Sequence, residues 1–468
     1  MATEATTHHA LGEATLAELE QSLRGQLIRP GDPDYDDARV IWNGAYDARP
    51  AVVVRCAGVG DVMKAVDFAR SENLDVAVRG GGHSIPGFST SDGGIVIDLS
   101  PMNTVRVDPV RRTAIAEGGA TWADFDHETQ AFGLATTGGL ISSTGVGGLT
   151  LGGGIGWLVR KHGLASDNLI GADVVTADGR HVHCDEGENR ELLWGLRGGG
   201  GNFGVVTSLE FRLHPVGPMV LAGPIFFDGR RAQEILDFYR TWVPTLPDDV
   251  GTLANLTTAP PAPFLPVQVH GKPIVAVVVA HAGEHEAGRE AIAPLKALGD
   301  PIADLIGVMP YTGLQSMLDA LYPRGVHNYF RAAYIDRIDD ATLARLVLRH
   351  EHIPSPMSEI HVQHLGGAMA RGGQDAAFGD RSAQFVVNVI ARTPDAEGFD
   401  DNIRWARATV DDLAPVSRAG SFVNFMSDAG DTRLRASYGD ANYERLVALK
   451  RRYDPANLFH LNQNISPH

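Results

Sequence analysis

Between Val52 and Val78 the apolar positions change period twice. Val52 to Arg55 is a short, mostly apolar run that fits a buried strand. Val62, Ala65, Val66 and Ala69 recur at helical spacing, and Val76 to Val78 reads as a second strand. Upstream, Thr15-Leu-Ala-Glu18 has the spacing of a capping box, followed by Leu16, Leu19 and Leu23 on one helix face. Downstream, Ile95 to Leu99 and Thr113 to Glu117 are predicted strands, and a helix is predicted from Trp122 to Phe132. Gly171 to Cys184 reads as a strand pair turning at Asp178-Gly179, with a short helix around Leu192, Leu193 and Leu196 and a strand from Val205 to Phe211. These elements are too short and uneven for a doubly wound sheet, so the pattern predicts an α+β fold.

The texture changes after Pro215 to Pro218. Strands are predicted at Pro273 to Ala280 and Gln384 to Ala391, and a helix at Ala341 to Leu348, which together read as a second α+β domain. Near the end of the sequence, Tyr443, Leu446, Leu449 and Tyr453 form a helical stripe that Asp454-Pro455 stops.

Two glycine clusters break the periodicity. Gly138 to Gly156 holds nine glycines in nineteen residues, and Gly198 to Gly201 is a second run. Each glycine inside a regular element would cost roughly 0.5 to 1 kcal/mol, so the first stretch serves close backbone approach to something.

At 468 residues the chain is long enough for more than one core. A hydrophobic fraction of 44% with 21% charged residues is that of a folded globular protein. The 57 acidic residues outweigh 40 basic ones, giving a net charge of -17 that opposes nucleic-acid and anionic-membrane partners. Apolar runs fall short of the about 18 residues of a membrane span. The polar stretch Met1 to Gly12 lacks secretory-signal order, so the cytoplasm is the expected location. Cys56 and Cys184 are expected to be two buried thiols.

Arg79-Gly80-Gly81-Gly82-His83-Ser84 follows a predicted strand. Consecutive glycines let backbone N–H groups converge on an anion such as a pyrophosphate, and the spacing is not that of a GxxxxGK phosphate loop. His83 has no ligand-spaced partner for a metal, and no metal is expected elsewhere. Spacing alone leaves structural, acid–base and attachment roles open for it.

The string Val78 to Gly87, with Asp92-Gly-Gly-Ile-Val-Ile-Asp-Leu99, Gly145-Val-Gly-Gly148, Gly152-Gly-Gly-Ile-Gly156 and His162 to Asn168, resembles the FAD domain of the vanillyl-alcohol oxidase and p-cresol methylhydroxylase superfamily. Trp194 to Val206, Phe422-Val-Asn424-Phe425, and Tyr453 to Phe459 with Gln463 extend the resemblance, which is greatest to the berberine bridge enzyme type. It implies a PCMH-type FAD-binding domain over residues 46–217, preceded by an extension over 1–45 packed on the body. A substrate domain over 218–420 and a terminal segment over 421–468 returning to the cofactor follow.

The resemblance further implies that FAD is held by Arg79, Gly80, Gly81, Gly82, Ser84, Gly87, Gly138, Thr144, Gly145, Gly148, Gly152, Gly156, Asn202, Val206, Asn424, Asn457 and Gln463. His83 is the implied covalent attachment point. Ile141 stands where many relatives carry a second cysteinyl link, which implies a single attachment. Thr144 stands where some oxidases carry a valine governing oxygen access.

The activity implied is oxidation of a small or medium organic donor (an alcohol, sugar, amine or phenolic), with O2 as acceptor and H2O2 as product. A dehydrogenase using another acceptor and a non-catalytic flavin-binding protein are the alternatives. Tyr438, His361 and Tyr334 are the catalytic candidates, with Tyr329 and His364 as further proton acceptors. The positions where relatives often place tyrosines are here Phe422 and Phe425. In Glu359 to Gly366, read as a strand, His361 and Gln363 share a face and His364 lies on the other.

Overall fold

The computed structural model describes residues 11–372, 375–428 and 430–468. Met1 to Ala10, within the polar N-terminal stretch, lie outside the described residues.

Among the described residues, a four-stranded sheet orders Gln26–Ile28, Val52–Arg55, Ile95–Asp98 and Val76–Arg79. Its last three strands run parallel. The helix Val59–Ser71 packs Val62, Ala65, Val66 and Ala69 against it, as the periodicity predicts. Parallel strands covered on both faces need unbroken apolar runs, and Val52, Val53 and Val54 are all fully buried. An antiparallel sheet of Val105–Asp108, Thr113–Glu117, Val205–Arg212, Leu169–Val175 and His181–Asp185 faces it. The predicted turn at Gly179 has φ +80°.

The capping-box expectation fails. The helix begins at Glu13, with Gly12 accepting the first backbone bond from Leu16, so Thr15 lies inside its first turn. Starting earlier places Glu13 in that turn, where the helix dipole favours a carboxylate.

Among the described residues, the central region forms one eight-stranded antiparallel sheet. Its path runs through Met219–Asp228, Pro273–His281, Val250–Thr258, Glu359–His364, Phe385–Thr393 and His327–Ile335. Helices Ala232–Trp242, Asp340–Glu351 and Phe399–Asp411 bury their apolar stripes on one face. The opposite face turns toward the glycine-rich half of the molecule, where Gln363 Nε2 donates to the Gly156 carbonyl at 3.4 Å.

Residues after Val423 close back over the first half. The helix Asp440–Tyr453 buries Lys450 completely, and its ammonium donates to Asp454 at 2.7 Å, the Phe459 carbonyl at 2.8 Å and the Asn202 carbonyl at 2.9 Å. Asp454 also accepts from the N–H groups of Leu458 and Phe459. Cys56 and Cys184 are both buried and free. No described helix is long and apolar enough to cross a membrane.

Candidate active site

One large cavity runs between the two halves. Gly80, Gly81, Gly82, His83 and Ser84 form part of its wall. Among the described residues, no protein acceptor faces the backbone N–H groups of these five residues. Successive unpartnered amides at a strand end form an anion-binding nest, which suits a pyrophosphate. Val76, Val78, Leu99, Val206 and Phe459 line an apolar slot in the same cavity, and a Cβ added to Gly148 or Gly201 would meet nothing within 4 Å. An apolar slot, a nest and open glycine walls fit an adenine dinucleotide.

Thr144, Gly145, Gly148, Gly152, Val206, Asn424 and Gln463, implied above as cofactor contacts, line the cavity. Asn424 Nδ2 donates to the carbonyls of Gly148 and Leu149, at 3.3 and 3.2 Å, and Gln463 Nε2 donates to the Met426 carbonyl at 2.9 Å.

Six of the residues implied as cofactor contacts do not line the cavity. The Arg79 side chain turns away from the cavity, donating to the carbonyls of Ser89 and Ala38 beside Asp98, so it braces the glycine loop from behind. Gly87, at φ +83°, packs on the Tyr46 ring. Gly138 and Gly156 pack on each other, since a Cβ on Gly156 would lie 1.9 Å from the Gly138 carbonyl oxygen. The close approach these two serve is chain on chain. Asn202 holds the terminal segment, donating to the Gln463 carbonyl and accepting from Ile465 N–H at 3.0 Å. Asn457 takes a left-handed turn at φ +55° outside the cavity.

His83 stacks on Trp42 with ring centroids 4.8 Å apart and planes 18° from parallel. Its Nε2 lies 3.0 Å from Ser143 Oγ. Burial, and secondarily the Arg324 charge, lower its pKa to about 4, so the ring is neutral near pH 7.

The central sheet floors the rest of the cavity. Cross-strand register sets Asn255, His361, Asn388 and Ala332 on one rung, and Glu359, Ile390 and Phe330 on the next. Between the rungs lies a buried polar group. Tyr322 O–H donates to Glu359 Oε1, and Asn255 Nδ2 donates to Oε2 at 2.7 Å. His361 Nε2 stands 3.5 Å from the Glu359 carboxylate and 3.4 Å from the Tyr322 oxygen. The Arg392 guanidinium covers the Tyr322 ring at 4.3 Å. Burial alone would raise the Glu359 carboxyl, but His361, Arg392 and the Tyr322 hydroxyl hold it down to about 2. Tyr322 is pushed well above the usual phenol range by burial and then by the Glu359 charge.

His361 and Tyr438 line the cavity, whereas Tyr334, Tyr329 and His364 do not. Tyr334 is buried among Ile155, Leu164 and Met369. Tyr329 donates to Asp428, and His364 faces Arg160. Burial raises the pKa of both Tyr334 and Tyr438, which disfavours the phenolate a base would need. Gln363 and His361 share the cavity-side face of the strand, with His364 turned away, as the alternation predicts. Phe422 and Phe425 pack edge to face at 4.8 Å and bring no hydroxyl to the cavity wall.

Trp42, Ser143, Tyr322, Glu359 and Asn388 are site residues that the sequence reading missed. The Glu359 and His361 alternation was its one available signal; the others are brought in from distant loops and strands.

A family profile described as an FAD binding domain matches residues 50–185, and one described as berberine and berberine like matches residues 421–466. (R)-6-hydroxynicotine oxidase of Paenarthrobacter nicotinovorans is 32% identical over 95% of this chain and 97% of its own length. The crystal structure of 6-hydroxy-D-nicotine oxidase from Arthrobacter nicotinovorans superposes with a TM-score of 0.85 at 31% identity, covering 96% of this chain and 99% of that one. A xylooligosaccharide oxidase from Myceliophthora thermophila shares the fold, with a TM-score of 0.83 at 21% identity over 97% of this chain and 99% of that one. With its glycine nest, apolar slot and sheet-floored cavity, the chain belongs to the berberine bridge enzyme-like family of FAD-linked oxidoreductases.

Proposed function

We propose that this enzyme is an oxidase that takes two electrons and two protons from a small organic donor and delivers them to O2 as H2O2, using FAD tethered once, through His83. The observation that carries the reading is the pairing, in one cavity, of the amide nest beside a neutral His83 with the carboxylate-backed His361. Bound FAD supplies the two-electron acceptor that protein side chains lack.

His361 is the proton acceptor in this reading. Tyr322 donates its own proton to Glu359, so the carboxylate directs the His361 proton to Nε2 and leaves the lone pair on Nδ1. Among the described residues Nδ1 has no protein partner, and His361 lines the cavity. As a donor C–H gives up its electron pair, Nδ1 takes the proton from the neighbouring O–H or N–H, converting alcohol to carbonyl or amine to imine. The imidazolium formed is stabilised by Glu359.

Stacking on Trp42 and the Ser143 contact hold the His83 ring in one orientation, and its lowered pKa keeps a nitrogen lone pair free for attachment. A single tether agrees with Ile141 on the cavity wall and with both cysteines buried away from it. The domain bounds 46–217, 218–420 and 421–468 belong to the same proposal, with the cavity at their junction.

The test is the absorption spectrum and mass of purified protein before and after acid denaturation, with His83→Ala alongside. One FAD increment is expected to survive in the wild type and to vanish in the variant. A variant that keeps its flavin through denaturation overturns the tether. Slow reoxidation of donor-reduced enzyme by O2 overturns the oxidase assignment in favour of a dehydrogenase.

A further inference from the structure

The loop that carries His83 and the turn that carries Ser143 touch backbone to backbone. A Cβ on Gly81 would lie 2.4 Å from the Gly145 nitrogen and 3.2 Å from the Ser143 carbonyl oxygen. The turn is pinned on both sides of Ser143. Ser142 donates its N–H to Asp319 Oδ1 at 2.9 Å and its hydroxyl to Oδ2, and its carbonyl accepts from Ala123 N–H at 2.8 Å. The Thr144 carbonyl accepts from Trp122 N–H at 3.0 Å. Trp42, stacked on His83, is fixed in its turn: its backbone N–H donates to the Gly82 carbonyl and its indole N–H to the Tyr322 carbonyl, each at 3.1 Å.

Within this frame the His83 ring has one polar side-chain neighbour among the described residues, Ser143 Oγ, 3.0 Å from Nε2, and that hydroxyl has no other side-chain partner. Nδ1 has no protein partner among them. His83 lines the cavity, whereas Ser143 is exposed and forms no part of its wall. The charge that reaches the ring is the Arg324 guanidinium, and no carboxylate opposes it. A neutral imidazole carries one proton, and a nitrogen that faces an acceptor keeps it. With Ser143 Oγ accepting from Nε2, the lone pair stands on Nδ1.

We propose that Ser143 is a positioning residue for flavin attachment, holding the His83 proton on Nε2 while Nδ1 forms the bond and then passing that proton to solvent. This role rests on the single His83 tether proposed above and deepens it. In the net step a C–H bond of the flavin methyl group and the Nε2–H bond break, and one bond forms from Nδ1 to the methyl carbon. Two electrons pass through the flavin to O2, which takes up two protons and leaves as H2O2. As the new bond forms the ring becomes cationic, and burial without a counter-charge disfavours that state, so the Nε2 proton leaves as the bond is made. The exposed hydroxyl accepts it on a lone pair, gives its own proton to water, and afterwards donates to the bare Nε2. A hydroxyl can rotate from one role to the other, which an alanine at this position could not do.

The experiment follows tether formation in the full-length protein, purified from riboflavin-limited cells and mixed with FAD in air. Flavin retained by acid-precipitated protein and the mass of the intact chain are read against time for wild type, Ser143→Ala, Ser143→Thr and His83→Ala, with bound FAD measured by absorbance before precipitation. Ser143→Ala is expected to bind as much FAD as wild type and to form the tether about ten-fold more slowly, the effect of one hydrogen bond. Ser143→Thr keeps the hydroxyl and is expected to stay within about two-fold of wild type. Raising phosphate at fixed pH and ionic strength should speed Ser143→Ala and leave wild type unchanged, because an external base can reach the exposed position. A merely structural serine would lose FAD binding together with attachment and would not respond to phosphate. Attachment in Ser143→Ala at the wild-type rate, or a slowing that neither threonine nor phosphate relieves, overturns the role of Ser143 and leaves the tether standing. Wild-type protein whose flavin is released by acid, as in His83→Ala, removes the tether and this inference together.

Discussion

The two halves of the cavity are built on opposite principles. The cofactor half is main chain: Gly80 to Gly82 leave their amides without protein acceptors, Gly81 and Gly145 let two backbone segments touch, and Gly148 and Gly201 leave room. The donor half is side chain: a regular antiparallel sheet whose rungs place His361 beside Asn388 and Glu359 beside Ile390. A backbone site depends on residues that have nothing else to offer, so substitution damages binding of the cofactor itself. A side-chain site on a sheet leaves the scaffold intact when one residue changes, so chemistry and selectivity there vary at little cost to the fold.

The sharpest test of that division is His361→Gln. It is expected to lower kcat/KM by about 10² to 10⁴-fold while FAD content stays at the wild-type level, measured by steady-state kinetics and flavin absorbance. Loss of flavin together with activity would erase the distinction between the halves.

The next effect lies on the cofactor side. Lys450→Met strands Asp454 as an unpaired buried carboxylate and frees the carbonyls of Asn202 and Phe459. Breaking such a pair costs about 3 to 5 kcal/mol, read as a fall in the denaturation midpoint, and FAD retention should fall with it. The double variant Lys450→Met, Asp454→Leu should recover part of that stability.

The smallest effect sits where the halves meet. Asp126, on the helix Trp122–Gln130, accepts from Gln315 Nε2 of the central region at 2.9 Å, and its other oxygen has no partner. Burial raises its pKa to about 7, against which the Gln315 hydrogen bond acts only partly. A carboxyl with a raised folded pKa binds more protons folded than unfolded, so its contribution to stability declines as pH rises from about 4 to about 7 and stays low above that. Asp126→Asn is expected to flatten that decline and raise the melting temperature at pH 8, with no change in kcat. An unaltered pH–stability profile would remove Asp126 from the account of the junction.

The same division explains what could be read from sequence. The glycine loop, His83 and the Gly145 to Gly156 run are contiguous, and their ordered motifs carried family, fold and cofactor. Most predicted strands and helices recur because their burial follows local periodicity, as in Val59–Ser71 and Asp440–Tyr453. What stayed hidden arises from long-range pairing. Tyr322 reaches Glu359 from a separate loop, Asn388 meets His361 only through sheet register, and Ser143 reaches His83 across sixty positions. Tyr334 and Tyr438 are candidate bases by residue type alone, and the burial that raises both phenols is set by tertiary packing. Gly138 and Gly156 carry the glycine signature for a different reason, the contact of one backbone segment with another.

The pinning of Phe459 and Asn202 by Lys450 bears on when the enzyme acquires its cofactor. Phe459, Leu461, Asn462 and Gln463 line the same cavity as Gly80 to Ser84. A ribosome delivers the nest early, and those wall residues only after the whole central sheet has been made. Until they arrive, the nucleotide slot is an open trough, so lasting capture of FAD follows synthesis and folding of nearly the whole described chain.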